Sequence, residues 1–265
     1  MSPTAIFFLI AFGIPWIGWS VIAVAGDHLT VVQRTMLFYT GDACSIAGVV
    51  ATYRQGGTTG LKELWQRCRQ IQAPPWLWLF MITVPLAIAL ASVRVWGLEP
   101  GHIVGNPSLL AFFTTPALFR SLLSGPLGEE VGWRGFLLPK LLTKFSPLAA
   151  SVVLGVIWGV WHLPLYVHSI FATVSGAAGF IVTTICYSII MTMLYNYSRG
   201  SVFIAVVFHW FMNTIPNAVF HMYGNVYWPL VANQMIFGYC IVTVIVVLVF
   251  GKDLRREVPA VPAIA

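Results

Sequence analysis

Eight acidic residues are spread along the 265-residue chain. The one adjacent pair, Glu129 and Glu130, stands at the end of an apolar run, in Gly128-Glu129-Glu130-Val131-Gly132-Trp133-Arg134. On a helix Glu130 and Arg134 share a face, acid on the N-terminal side, which is the better orientation for an ion pair. Glu129 is rotated from that face by about 100 degrees, and at its own i+4 position stands the apolar Trp133. The two glutamates are therefore expected to do different work. Glu130 is neutralised and held by Arg134, whereas Glu129 faces a low-dielectric interior as a general base.

Two further stretches carry polar chemistry inside apolar runs: Trp158-Gly159-Val160-Trp161-His162 and His209-Trp210-Phe211-Met212-Asn213. In the second, an imidazole and an amide stand one helical turn apart on one face. Such a pair, held before charge develops, is what an oxyanion needs. His162, on a neighbouring helix, is placed to help Glu129 hold a water molecule. Taken singly, each element has a structural reading, because intramembrane histidines serve as interhelical hydrogen-bonding groups and i,i+4 pairs as helix supports. Their joint occurrence on three apolar segments is the functional signal, since ionisable groups are costly in a membrane.

The elements that must position these groups are transmembrane helices. Hydrophobic residues make up 58% of the chain and charged residues only 8%, with a mean hydropathy of +0.85, against roughly 25% charged residues in soluble domains. Apolar runs occur near 5–25, 35–53, 76–95, 107–128, 147–165, 176–196, 201–220 and 230–250. They are continuous, not alternating, and so read as helices of an all-α, polytopic bundle of about eight crossings, forming a single domain over 1–265 with its motif core at 107–220. The net charge of +6 comes from scattered basic residues with no stripe of the kind nucleic-acid binders show. With both termini cytoplasmic, the segments around Arg54–Arg69, Arg134–Lys144, Arg199 and Lys252–Arg256 lie inside, while Arg34 and Arg94 lie at outer span edges, in line with the positive-inside rule. The first apolar run is a span, without the charged lead and cleavage site of a signal peptide. Between Gly60 and Gln72, apolar residues at helical spacing fit either a short interfacial helix or a basic loop. Trp16, Trp76, Trp78, Tyr166 and Trp228 read as interfacial anchors. Cys44, Cys186 and Cys240 fall in apolar runs and Cys68 in a basic loop, with no CxxC spacing, so buried free thiols are expected.

The Glu129-Glu130-Val131-Gly132-Trp133-Arg134, Trp158-x-x-x-His162 and His209-x-x-x-Asn213 stretches resemble, in order and spacing, the three motifs of the CPBP family. Its members are the CAAX proteases and bacteriocin-processing enzymes, and its eukaryotic representatives are the type II prenyl-protein proteases. The resemblance covers about Gly128 to Asn213. It implies a glutamic intramembrane endopeptidase in an eight-helix bundle, without metal or other cofactor, with a cavity open to the cytosol. By motif position Glu129 is the base that activates water and His162 helps to hold that water. His209 and Asn213 form the oxyanion site, and Glu130 with Arg134 supports the geometry. Trp158 stands where the family often has Phe, and is expected to line the cavity and alter its shape but not its chemistry. The partners implied are peptide or protein substrates, prenylated or otherwise membrane-anchored, and the lipid bilayer, with no nucleic acid.

A zinc metalloprotease is an alternative, as Glu and His both bind zinc, but HExxH is absent and Asn is a poor ligand. A proton-coupled transporter is a second, though internal repeats are not visible. A non-catalytic scaffold or immunity protein is a third. Asp42 either faces the cavity or caps a helix, Arg120 pairs with it or with another group, and His28, His102, His168 and His221 fall in outer loops. A serine or cysteine mechanism lacks a recognisable motif.

Overall fold

The computed structural model describes residues 1–95, 116–222 and 228–254. Every regular element among them is helical, as the continuous apolar runs predict. Helix α1 spans Pro3–Ala25 and starts at Ser2, whose hydroxyl accepts from the Ala5 N–H at 3.2 Å. The short α2, Val31–Phe38, opens with a reciprocal cap between Thr30 and Gln33. A 3₁₀ turn, Tyr39–Asp42, leads into α3, Ala43–Arg69, and α4 follows over Pro75–Val95.

The segment 116–142 is one helical rod interrupted twice by π turns: α5 (Pro116–Leu122), a π turn (Leu123–Leu127), α6 (Gly128–Gly132), a second π turn (Trp133–Leu137) and α7 (Leu138–Leu142). Single-turn π insertions of this kind re-aim side chains and cluster at functional sites. Then come α8 (Pro147–Trp161), α9 (Val174–Tyr197), α10 (Val202–Met222) and α11 (Trp228–Phe250).

Packing brings the rod to the centre. Helix α3 lies along α1 and against α6, α8 lies along α9, and α10 lies along α4. The approach of α3 to α6 is close enough that a Cβ on Gly48 would stand 2.7 Å from the Val131 carbonyl oxygen, and one on Gly132 would run into the Cys44 backbone. Small residues thus set the α3–α6 distance, the usual device where helices associate without a hydrophobic drive between them. One contiguous apolar core joins residues from Phe7 in α1 to Leu254 beyond α11. The outward faces of the long helices carry Ile17, Val24, Phe237 and Leu248, all largely exposed, as a lipid-facing surface requires.

Among the described residues, four helical segments are long and apolar enough to cross a membrane: Pro3–His28, Pro75–Val95, Val174–Tyr197 and Val202–Phe220. Pro147–Trp161 is apolar but shorter, and Trp228–Phe250 is apolar over 23 residues. The run at 35–53 is not one span: it is divided between α2, the 3₁₀ turn and α3. Helix α3 continues past it to Arg69 with a break at Gly57, whose φ of 57° leaves the helical region. The first part of the 107–128 run, and His102, lie outside the described residues. His221 belongs to α10, not to a loop.

Of the two readings of the basic segment after Gly60, the helix is the one observed. Only Leu64 of its apolar face is fully buried. Arg67 fastens the segment to the rod, donating to the Gly135 carbonyl at 2.7 Å and to the Tyr195 hydroxyl at 3.2 Å. All four cysteines are free, and Cys68 lies on α3, not in a loop.

Candidate active site

The first π turn carries Gly125 at φ 134°, a backbone region that disfavours any side chain. The missing Cβ leaves a hollow. A point at that Cβ position lies 3.5 Å from Glu129 Oε1, 3.7 Å from Asn213 Nδ2 and 3.9 Å from His209 Nε2. Three of the polar groups singled out by sequence therefore meet around one water-sized space, contributed by α6 and α10. His162, the C-terminal cap of α8, lines the same cavity of about 280 Å³, enough for several waters at about 30 Å³ each.

Glu129 is almost wholly buried, at 6% exposure, and its two carboxylate oxygens are treated differently. Oε2 accepts from the indole N–H of Trp158 at 2.5 Å and from that of Trp133 at 3.3 Å, which leaves Oε1 turned to the hollow. Trp133 is thus not merely an apolar neighbour of Glu129, and Trp158 does more than shape the cavity. The Phe common in the family has no such donor. The Trp158 ring also lies 4.7 Å from the Arg134 guanidinium carbon, a cation–π arrangement.

Glu130 and Arg134 are both at 0% exposure. Arg134 Nη1 donates to both carboxylate oxygens at 2.9 Å, as the i,i+4 spacing predicts. The structure adds a second partner: Glu130 Oε1 lies 2.7 Å from His209 Nδ1. An ionised carboxylate only accepts, so Nδ1 carries the proton and Nε2 is the nitrogen facing the hollow. Sequence spacing could not show this contact, because it joins residues 79 positions apart on separate helices.

His162 is oriented by its own backbone. Its Nδ1–H donates to the Trp158 carbonyl at 2.9 Å, so that Nε2 is an acceptor. Its ring is stacked between Trp19 and Tyr166, at centroid distances of 6.1 and 5.7 Å. Tyr166, expected as an interfacial anchor, lines the cavity. Trp16 is likewise tied inward, donating to the Trp161 carbonyl at 3.0 Å. Asn213 is steadied by Asn217, whose Nδ2 donates to the Asn213 carbonyl at 2.6 Å. Asp42 lines the cavity beside Glu129 and makes no cap bond to α3, at whose N-terminus it stands. The side chain of Arg120 lies outside the described residues. Of the other histidines, His168 is exposed and bonded to the Ala23 carbonyl, away from this cavity.

Residues 111–215, which include all seven motif side chains, match the family model described as type II CAAX prenyl endopeptidase Rce1-like. This region of the chain is similar to that family. The chain is also similar to CAAX prenyl protease 2 of Methanococcus maripaludis, 31% identical over 147 residues. That alignment takes in 52% of this chain and 54% of the archaeal protein, so the chain spans about half the length of the curated relative it matches. Within the family framework, Gly125, Trp133 and Tyr166 are the site residues that sequence reasoning passed over. The glycine has a detectable signal, since Gly-Pro two residues before Gly128 punctuates an otherwise helical run. The two aromatic residues have none beyond their type.

Proposed function

We propose that this chain is an intramembrane endopeptidase that hydrolyses peptide bonds with a water activated by Glu129. The observation that carries the reading is the convergence of Glu129 Oε1, His209 Nε2 and Asn213 Nδ2 on the hollow over Gly125. A water there can donate one proton to Glu129 Oε1 and one to His162 Nε2, both acceptors, leaving a lone pair for attack. As its oxygen bonds to the carbonyl carbon, one proton passes to Glu129. The carbonyl oxygen becomes an oxyanion, met by the Asn213 amide and by His209 Nε2–H. His209 donates from Nε2 only as the imidazolium, and the Glu130 carboxylate at 2.7 Å is its counter-charge. Collapse of the intermediate breaks the C–N bond, and the proton held by Glu129 goes to the leaving amine, restoring the carboxylate.

The substrate class follows from the relative's name and from the setting: peptides or proteins presented from the bilayer, prenylated chains among them. The chain acts as a single domain over 1–265, crossing the membrane about eight times with both termini in the cytoplasm and the cavity reached from that side. Among the described residues, four apolar helices of full length, the 23-residue α11 and the shorter α8 support such a bundle, as does the contiguous apolar core.

The test is cleavage by purified protein in proteoliposomes of prenylated and unprenylated peptides, with termini read by mass spectrometry. Glu129→Gln, His162→Ala and His209→Ala should each reduce turnover by about 100-fold or more. Exhaustive chelation should leave wild-type turnover unchanged. Undiminished cleavage by the three variants would sink the assignment, and loss on chelation restored by zinc would replace it with a metalloprotease.

A further inference from the structure

We propose that Asp42 selects substrates that carry a basic side chain close to the scissile bond. The inference rests on the protease reading and deepens it by naming a substrate class. Asp42 occupies the N-cap position of α3, where an aspartate ordinarily accepts from the first backbone N–H groups of its helix. It makes no such bond, and its own backbone is already helical, at φ −64° and ψ −13°. The carboxylate lines the cavity that holds Glu129, His162 and Asn213.

Its seat is made by Gly128. A Cβ at that position would overlap Asp42 Oδ1 and stand 2.8 Å from its carboxyl carbon. The carboxylate therefore lies against the backbone of the residue immediately before Glu129. Gly128 keeps open the space that an alanine would close.

No compensating charge stands beside it among the described residues. Among the described residues Asp42 has no hydrogen bond or ion pair, and no Lys or Arg lines the cavity. A half-buried carboxylate in an apolar enclosure is stabilised by any cation brought to it, and a like charge is rejected. A Lys or Arg side chain of an extended peptide, bound with its scissile carbonyl over Gly125, supplies that cation. A free peptide carboxylate at the same spot is repelled by both Asp42 and Glu129, which favours cleavage inside a chain over removal of a terminal residue.

The experiment scans one lysine, one norleucine or one glutamate through each position flanking the cleaved bond of a membrane-anchored peptide. Cleavage is measured with wild type, Asp42→Asn and Asp42→Lys. Binding is measured by fluorescence anisotropy in the Glu129→Gln background, with and without Asp42→Asn. Lysine at one position should raise wild-type kcat/KM about tenfold or more over norleucine, as desolvated charge pairs do. Asp42→Asn should remove that preference and Asp42→Lys should turn it towards glutamate, and the anisotropy should show the same lysine preference lost with Asp42. Cleavage or binding without a lysine preference, or a preference that survives Asp42→Asn, overturns the proposal while leaving the protease reading intact. Lysine-selective binding that depends on Asp42, with no cleavage by wild type, upholds the docking role and overturns the protease reading instead.

Discussion

Glu130 joins two functions that can be pulled apart by mutation. Its carboxylate takes the Arg134 guanidinium at 2.9 Å and His209 Nδ1 at 2.7 Å, with the ion pair wholly shielded from solvent. Replacing Glu130 by leucine leaves the guanidinium buried and unpaired, at a cost of about 3–5 kcal/mol. Two other Arg134 nitrogens, Nε and Nη2, already have no partner among the described residues, so the guanidinium has little else to fall back on. Arg134→Met strands the carboxylate and should cost a similar amount. The double variant Glu130→Leu/Arg134→Met removes both charges, and replacing a buried ion pair by apolar groups is often near neutral, so its thermal stability should return close to wild type. Activity should not return with it. His209 still lacks the acceptor that orients its ring, and a charge-assisted hydrogen bond is worth about 1.5–3 kcal/mol. At about 1.4 kcal/mol per tenfold, that is a loss of about ten- to 150-fold in kcat/KM. Tryptophan-fluorescence melts in detergent and the peptide-cleavage assay measure the two quantities on the same samples. Recovery of both in the double variant would refute the role of Glu130 in orienting His209, and a Glu130→Leu single variant as stable as wild type would refute the buried pair.

Two further outcomes follow from the geometry around Glu129. Gly125→Ala puts a methyl group 3.5 Å from Glu129 Oε1 and 3.7 Å from Asn213 Nδ2, where the proposed reaction places water and the scissile carbonyl. Turnover should fall by at least about 100-fold, while backbone strain lowers stability by only about 1–3 kcal/mol; wild-type turnover would show that the hollow is not the reaction centre. Trp158→Phe keeps the ring beside Arg134 but removes the 2.5 Å donor to Glu129 Oε2. It should lower kcat by about tenfold, the value of one hydrogen bond to a charged group, with KM nearly unchanged. A loss carried by KM alone would assign Trp158 to substrate packing instead.

Much of the site was legible because its parts are local. Glu130 and Arg134 are one turn apart, as are His209 and Asn213, and Trp158 and His162, so helical periodicity alone predicts which of them share a face. The all-helical fold was legible for a similar reason, since continuous apolar runs have few ways to satisfy their backbone in lipid. Span boundaries were less so. The run at 35–53 looks like one crossing by hydropathy, yet a 3₁₀ turn ends at Asp42 and α3 runs on through a polar segment to Arg69. Hydropathy registers apolarity and is blind to where a helix begins.

Composition and motif spacing by themselves determined a helical membrane protein, a resemblance to the Rce1-like family and the set of side chains available for chemistry, because each depends on residue type and on distances of at most one helical turn. The tertiary structure decided how those side chains are used. It gave His209 to Glu130 and Trp158 to Glu129, turned one oxygen of Glu129 towards the hollow over Gly125, and placed Tyr166 in the cavity wall. These contacts join separate helices across as many as 79 residues of chain. Their partners are chosen by how closely the helices approach, and that distance is set at glycines such as Gly48 and Gly132, whose importance no periodicity reveals.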